Sequence, residues 1–540
     1  MIRTILGLLF LVTVVFGLSA QAGRYLSEVF DEVTVSTDVV YGVNATILSL
    51  QTVGEAIPQE LKMDVYEPAG DNFDFRPLVM VYHTGFFLPP VINGGIEGTR
   101  QDSSVVEICT RLAKAGYVAA AVDYRLGWNP VAASQPERNL SFVQALYRGI
   151  QDGRTCIRYF KKNYAEGGNT YGIDTTRMGI WGIGTGGYIS LGMTSLNAYE
   201  ELLTTTNGPG KFLFDPGNGI PIPMVLEAYH GDIEGKVLTI APDDAFGFPA
   251  GDTTNYTNHV AYSSDFQFCV NIGGAIGDIS WLNQGEPPII TVQSAYDMFT
   301  PYDEFTLVVP GTADPVVRLQ GGLAVSRRQD ELGHNDIFTE FGVDNVWTDA
   351  AIANSATAGH SYLEGLYPIT NPPNSFGLDE GVAIGWWDPN GPPPPASGTT
   401  IPWNMLPHPS GGTFHDQGLM LNEGMSAEKA RTNIDTIMGY FYPRAYCFVA
   451  LHPNTENIKP SEVSLTITPN PVGNEILLQS AIETPMRSIR IYDMSGRLVR
   501  YYEDVDFHSY FISRGNLTAG TYIITTEFDE GLASKKIILR

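Results

Sequence analysis

The chain has 540 residues, 43% of them hydrophobic and 17% charged, with 59 acidic against 32 basic side chains and a net charge of -27. That length and composition describe a globular protein with one large domain and something smaller. The acidity opposes nucleic acid and anionic membrane surfaces as partners and fits a solvated surface outside the cell.

Arg3 gives a positive start, Ile5 to Leu18 a short apolar run, and Ala20-Gln21-Ala22 a small-residue cleavage site. This order predicts an export signal over residues 1–22, removed before Gly23. The run is too short to span a bilayer, and no later stretch reaches roughly twenty apolar residues, so no transmembrane helix is expected in the mature chain. Export permits disulfides. Cys109 lies in a helical pattern from Val105 to Ala115 and Cys156 in another from Val143 to Lys162, so a bridge between two neighbouring helices is the expected pairing. Neither a metal nor a cofactor is expected: the chain has no Walker loop, no His-Glu-x-x-His pair, no dinucleotide fingerprint with its acidic residue and no calcium-loop spacing.

From Gly23 to about Asn454, strand patterns alternate with helix patterns. The strongest strands are Pro77-Leu78-Val79-Met80-Val81-Tyr82, Tyr117 to Val122, Met178-Gly179-Ile180-Trp181 and Pro288 to Val292. Near-continuous apolar runs of this kind belong at the centre of a sheet covered on both faces, which predicts an α/β domain with a doubly wound, mostly parallel sheet over 23–454.

Several motifs follow one another in this region. Leu61 to Pro68 reads as an opening strand, His83-Thr84-Gly85-Phe86-Phe87 follows the first buried strand, and Leu112 to Tyr117 leads to Asp123-Tyr124-Arg125-Leu126-Gly127. Asp152 to Tyr159 reads as the helix before Trp181-Gly182-Ile183-Gly184-Thr185-Gly186-Gly187. Their order resembles secreted α/β-hydrolases of the esterase type. That resemblance implies a Gly-x-Ser-x-Gly-Gly turn from strand to helix that lifts a nucleophilic serine above the sheet. In this chain Gly184 stands at the serine position, with no side chain to attack a substrate. Glycine relaxes a turn whose strained backbone costs an ordinary residue about 1 to 3 kcal/mol, and it deletes the chemistry. Thr185 is the alternative nucleophile, although a β-branched residue fits that geometry poorly.

The resemblance further implies an oxyanion hole from Thr84, Gly85 and Thr185, and an acid at Asp297 after Pro287 to Ser294. Gln293 stands where the family often has histidine. Two positions qualify for the base: His360, in Gly359-His360 after the strand-like Asp336 to Phe341, and His415, just before the last helical pattern from Ser426 to Tyr440. His334 reads as a helix-end residue. The stretch 345–410, rich in Gly, Pro and Asn and carrying Trp386-Trp387 and Pro392 to Pro395, is expected to be a long insertion or lid. The tryptophan pair offers either a stacking surface or packing against the body.

Residues 455–464 read as a linker, and from Leu465 short alternating strands separated by turn residues predict a small all-β sandwich to residue 540. Thr468-Pro469-Asn470-Pro471, Ile491 to Val499, Leu517 to Ile523 and Lys535 to Leu539 follow in order. This segment resembles the type A sorting domain of the type IX secretion system. The resemblance implies a partner, the outer-membrane export machinery engaging 465–540, and a location outside the cell or on its surface.

Two readings of function follow. In one, the domain keeps an esterase-like fold without its nucleophile and binds a small-molecule or polymer ligand, or serves as an adhesive surface protein. In the other, it is an active ester hydrolase working through Thr185 or an activated water.

Overall fold

The apolar runs of the sequence become the strands of one sheet. The computed structural model describes residues 23–540 except 376–400, 450–459 and short stretches at 72, 74, 91, 96, 207–209, 310–311, 342, 344, 373, 462, 494–497, 503–504, 516 and 529–530. The export signal, Trp386-Trp387, Pro392 to Pro395 and most of the 455–464 linker lie outside the described residues.

The strands are β1 (Val33–Thr46), β2 (Ile57–Pro68), β3 (Arg76–Tyr82), β4 (Val118–Val122), β5 (Ile173–Ile183), β6 (Phe268–Ile272), β7 (Ile289–Ser294) and β8 (Leu366–Ile369). Their spatial order is β1-β2-β4-β3-β5-β6-β7-β8. The β1–β2 and β2–β4 pairs are antiparallel. Every pair from β4 onward is parallel.

The helices used below are α1 (Ser103–Lys114), α2 (Gln135–Glu166), α3 (Thr185–Ser195), α4 (Gly322–Leu332), α5 (Asp336–Phe341), α6 (Val346–Thr357), α7 (Phe414–Leu421) and α8 (Ala427–Val449). Alternation along β3 divides the core between them. Leu78, Met80 and Tyr82 pack with Phe142, Ile150 and Ile157 of α2 and Ile189 of α3. Val79 and Val81 face the other way, toward Ile108 and Leu112 of α1 and Ile437 and Phe441 of α8. Because both faces are covered, β3 and β4 are buried at every position, as a central parallel strand must be. α2 begins at a capping box, with Ser134 accepting from the Glu137 amide, which fixes where the long helix starts.

Three expectations are corrected. The Cys109–Cys156 bridge does not form: all four cysteines are free and buried. Cys109 belongs to the α1 face of the sheet and Cys156 to the α2 face, so the sheet itself stands between them. The strand-like Asp336 to Phe341 is helix α5, where Phe338 is buried edge-on against Phe448 at 5.9 Å. A short apolar run does not distinguish the two states. Finally, the stretch 345–410 contains α6 and β8, so part of it belongs to the main sheet. Pro368 and the short length hid β8, and proline is tolerated there because β8 is an edge strand.

The C-terminal region is all β. Thr466–Thr468, Glu475–Gln479 and Ser509–Ser513 form a three-stranded antiparallel sheet. Leu498–Tyr502, Ser488–Asp493, Gly520–Phe528 and Gly531–Leu539 form a four-stranded one. Ile476, Leu478, Ile489, Ile491, Ile524 and Ile537 make its core.

Candidate active site

β5 ends at Ile183 and α3 starts at Thr185, so the reversal between them falls on Gly184, at φ 53° and ψ −115°. A left-handed residue of this kind costs roughly 1–2 kcal/mol with a β-carbon and little without one. The Gly184 amide donates to the Ile272 carbonyl at 2.8 Å, and the Tyr188 amide donates to the Gly184 carbonyl at 3.2 Å. These bonds tie the turn to β6 on one side and α3 on the other. A β-carbon on Gly186 would lie 2.1 Å from the Tyr82 carbonyl oxygen, so the flanking glycine lets α3 close against β3.

The loop after β3 approaches from the opposite side. A β-carbon on residue 184 would lie 2.2 Å from Thr84 Oγ1 and 2.9 Å from Thr84 Cβ. The space a side chain would use on leaving position 184 is therefore filled by Thr84. Gly85, Phe86 and Phe87 all have positive φ (122°, 57° and 54°), which curls this loop tightly over the turn. Phe87 is buried, edge-on to Tyr124 and Phe142, and its carbonyl accepts from Gly127 at 2.8 Å. Packing of that side chain holds the strained backbone in place.

Beneath the loop the imidazole of His83 stacks on Tyr124, with ring centres 4.4 Å apart. Burial pushes the His83 pKa down, and the Asp123 carboxylate, 3.5 Å from Nε2, partly opposes that. The Tyr124 hydroxyl donates to the His83 carbonyl at 2.8 Å. It also lies 3.1 Å from Thr185 Oγ1. A phenol has one proton, so in that second bond Thr185 is the donor. Thr185 is 5% exposed, and burial pushes the Tyr124 pKa up, so its partner is a poor base.

Asp297 follows β7. Its Oδ1 accepts from the Phe299 and Thr300 amides at 2.8 and 2.9 Å, and Oδ2 lies 3.6 Å from where a β-carbon on Gly273 would stand. Gly273 directly follows Ile272, whose carbonyl holds Gly184, so the acid and the turn share one end of the sheet. Gln293 secures the loop. Its amide donates to the Pro301 carbonyl at 2.8 Å, and its carbonyl accepts from the Gly322 amide at 2.7 Å.

The histidines separate by topology. His360 precedes β8, the last strand of the sheet. Its Nδ1 meets the Ser361 carbonyl at 2.8 Å and its Nε2 the Tyr302 hydroxyl at 2.7 Å, so both ring nitrogens are engaged. His415 follows β8, in the first turn of α7, where its amide donates to the Trp403 carbonyl and its buried Nδ1 makes no hydrogen bond among the described residues. His408, not singled out in the sequence, occupies the same stretch and reaches the Gly94 carbonyl at 3.2 Å. His334 follows the C-cap Gly333 of α4.

The structure thus gathers Gly184, Thr84, Gly85, Thr185 and Asp297 at the carboxyl ends of β3, β5, β6 and β7. The first turn of α3 has no side-chain cap, so its amides face this end with the positive pole of the helix. Sequence reasoning missed the contact between Thr84 and position 184, which joins two loops distant in the chain. It also missed the Tyr124–Thr185 pair, for which no motif exists.

Together the sheet order and the glycine-rich turn define the body as an esterase-like α/β-hydrolase fold. Residues 63–211 match the BD-FAE family, and residues 466–540 match the secretion system C-terminal sorting domain family. Among solved structures the chain is similar to a truncated carbohydrate esterase from gut microbiota, at 16% identity over 56% of this chain and 84% of that one, with a TM-score of 0.29. It is also similar to a thermophilic esterase from the Planctomycetes species Thermogutta terrifontis, at 13% identity over 63% and 83% of the two chains, with a TM-score of 0.29. A bifunctional protein from Bacteroides eggerthii is 16% identical over 51% of this chain and 29% of its own, with a TM-score of 0.26. No curated protein matches the chain significantly. The sorting domain marks the protein for type IX export to the cell surface or the medium. No helix among the described residues is long and apolar enough to cross a membrane.

Proposed function

We propose that this type IX cargo carries an esterase-like domain that is non-catalytic or only weakly active and binds a small-molecule or polymer ligand outside the cell. One observation carries the reading: Gly184 occupies the turn where this fold presents its nucleophile, and Thr84 fills the space a side chain would need there. Loss of the nucleophile from a serine triad costs many orders of magnitude in rate, leaving only the weak help of the oxyanion hole and binding.

What speaks against Thr185 in its place is the 3.1 Å contact of its hydroxyl with the buried Tyr124 phenol, where an activated nucleophile needs a base that takes its proton. Asp297 remains beside the turn, and His415 lies after β8 as a triad histidine would. These two favour the second reading, an ester hydrolase working through an activated water.

The test is hydrolysis of short-chain chromogenic esters by the full mature chain, beside Gly184→Ser, Thr84→Gly and the double variant. A silent native protein, a silent Gly184→Ser and an active double variant support the proposal. Native turnover that survives Thr84→Gly and Thr185→Ala and is lost in His415→Ala would replace it with the water-based hydrolase.

A further inference from the structure

A β-strand sends alternate side chains to opposite faces of its sheet. Along Gly520–Phe528, Tyr522 and Ile524 belong to the core of the sorting domain. Ile523 and Thr525 therefore point to the outer face of the four-stranded sheet, where a free-standing domain would expose them to water. Both are buried, Ile523 at 3% exposure and Thr525 at 0%.

What covers them is the body. Ile523 is part of the buried apolar cluster that holds Phe338, Phe441, Phe448 and Val449. Tyr492, its partner in register on Ser488–Asp493, packs against the same cluster. On the other side Ile523 pairs with Lys536 in Gly531–Leu539, the strand that lies against α5. Thr525 keeps its hydroxyl satisfied within the covered face, 2.9 Å from that of Ser534. Toward one end of the face Arg490 and Glu527 form an ion pair at 3.2 Å. An apolar centre with a polar rim is the anatomy of an interface between two folded units.

We infer that the body binds the sorting domain by this face, through Ile523 and Tyr492, and goes on holding it after the chain between them is cut. A covalent tether only raises the local concentration of one unit near the other. Burial of apolar side chains from both units adds an affinity of its own, which survives loss of the tether. The docking also sorts the surfaces of the tail. While it lasts, the export machinery meets the other sheet, where Phe511, opposite Leu477, is 68% exposed.

A protease recognition sequence inserted between residues 454 and 455 of the full mature chain lets the two units be cut apart after folding. The cleaved native protein is expected to elute from gel filtration as one species containing both fragments, and to fly as a one-to-one complex in native mass spectrometry. Ile523→Asp is expected to give two separate peaks after cleavage. Phe511→Asp, the same change on the other sheet, is expected to leave the complex intact. Tyr492→Ala, a milder change that leaves the sorting domain folded, is expected to let the fragments part at a protein concentration about ten-fold higher than the native pair. Two peaks from the native protein, or release by Phe511→Asp as ready as by Ile523→Asp, would overturn the inference.

Discussion

The hydroxyl of Tyr124 joins three elements: it accepts a hydrogen bond from Thr185 at 3.1 Å and donates one to the His83 carbonyl at 2.8 Å, linking the loops after β4 and β3 to the start of α3. Thr185→Val removes one donor and is expected to cost about 0.5–1.5 kcal/mol of stability. Tyr124→Phe strands both partners and is expected to cost about 1–3 kcal/mol. Urea denaturation measures both. Neither change is expected to alter ester turnover, and loss of turnover in Thr185→Val would make that hydroxyl a reactant.

Thr84 and Gly184 form a second pair. Gly184→Ala adds a left-handed β-carbon, costing roughly 1–2 kcal/mol, and a clash with Thr84 that costs roughly 1–3 kcal/mol more. In a Thr84→Gly background only the backbone part remains. A double-mutant cycle by chemical denaturation is therefore expected to return a coupling of about 1–3 kcal/mol, and additive effects would mean that the two side chains do not share the space.

Arg125 and Asp152 are both fully buried and paired through several contacts. Asp152→Ala leaves Arg125 buried without its carboxylate, and is expected to destabilise the fold by about 3–5 kcal/mol in the same assay.

Glu286 supplies a pH dependence. Burial, reinforced by the nearby Glu201 charge, pushes its pKa up to about 8. The folded state thus holds the proton more tightly than the unfolded chain. Its contribution is complete below the ordinary carboxylate pKa of about 4.3 and is lost as pH rises through about 8. Glu286→Gln, which cannot ionise, is expected to be more stable than the native protein at pH 9 by about 1–3 kcal/mol and close to it at pH 4. Parallel stability curves for the two proteins from pH 4 to 9 would contradict this.

The four cysteines are buried thiols, and burial pushes their pKa values up, to about 11 for Cys269. Reductant is expected to leave Tm unchanged. Alkylation by iodoacetamide, followed by mass spectrometry, is expected to find all four thiols only after denaturation.

Much of this was legible in the sequence. Val79, Val81 and their neighbours announce a doubly covered sheet because a strand buried on both faces has no reason to alternate. The sorting domain is equally plain in its ordered motifs. The glycine at 184 could be aligned because Gly182, Gly186 and Gly187 flank it, and each is required where backbones meet. Contacts made across the sheet were not legible. Helical periodicity places Cys109 and Cys156 on helices but not on the same side of the sheet. The short runs Asp336 to Phe341 and Leu366 to Ile369 carry too few residues for a period to declare itself, and tertiary packing decided both. The arrangement of Thr84 against position 184 joins residues a hundred positions apart, which no local pattern encodes.

That arrangement also sets an order in which a side chain can be added to the turn. A serine placed alone at 184 meets Thr84, whereas shrinking Thr84 to glycine first only vacates space. Building out position 184 is therefore an ordered walk, with the threonine acting as a ratchet pawl that must be lifted before the turn takes a side chain. Variants selected to carry a side chain at 184 are expected to change first in the loop after β3, and only afterwards in the turn itself.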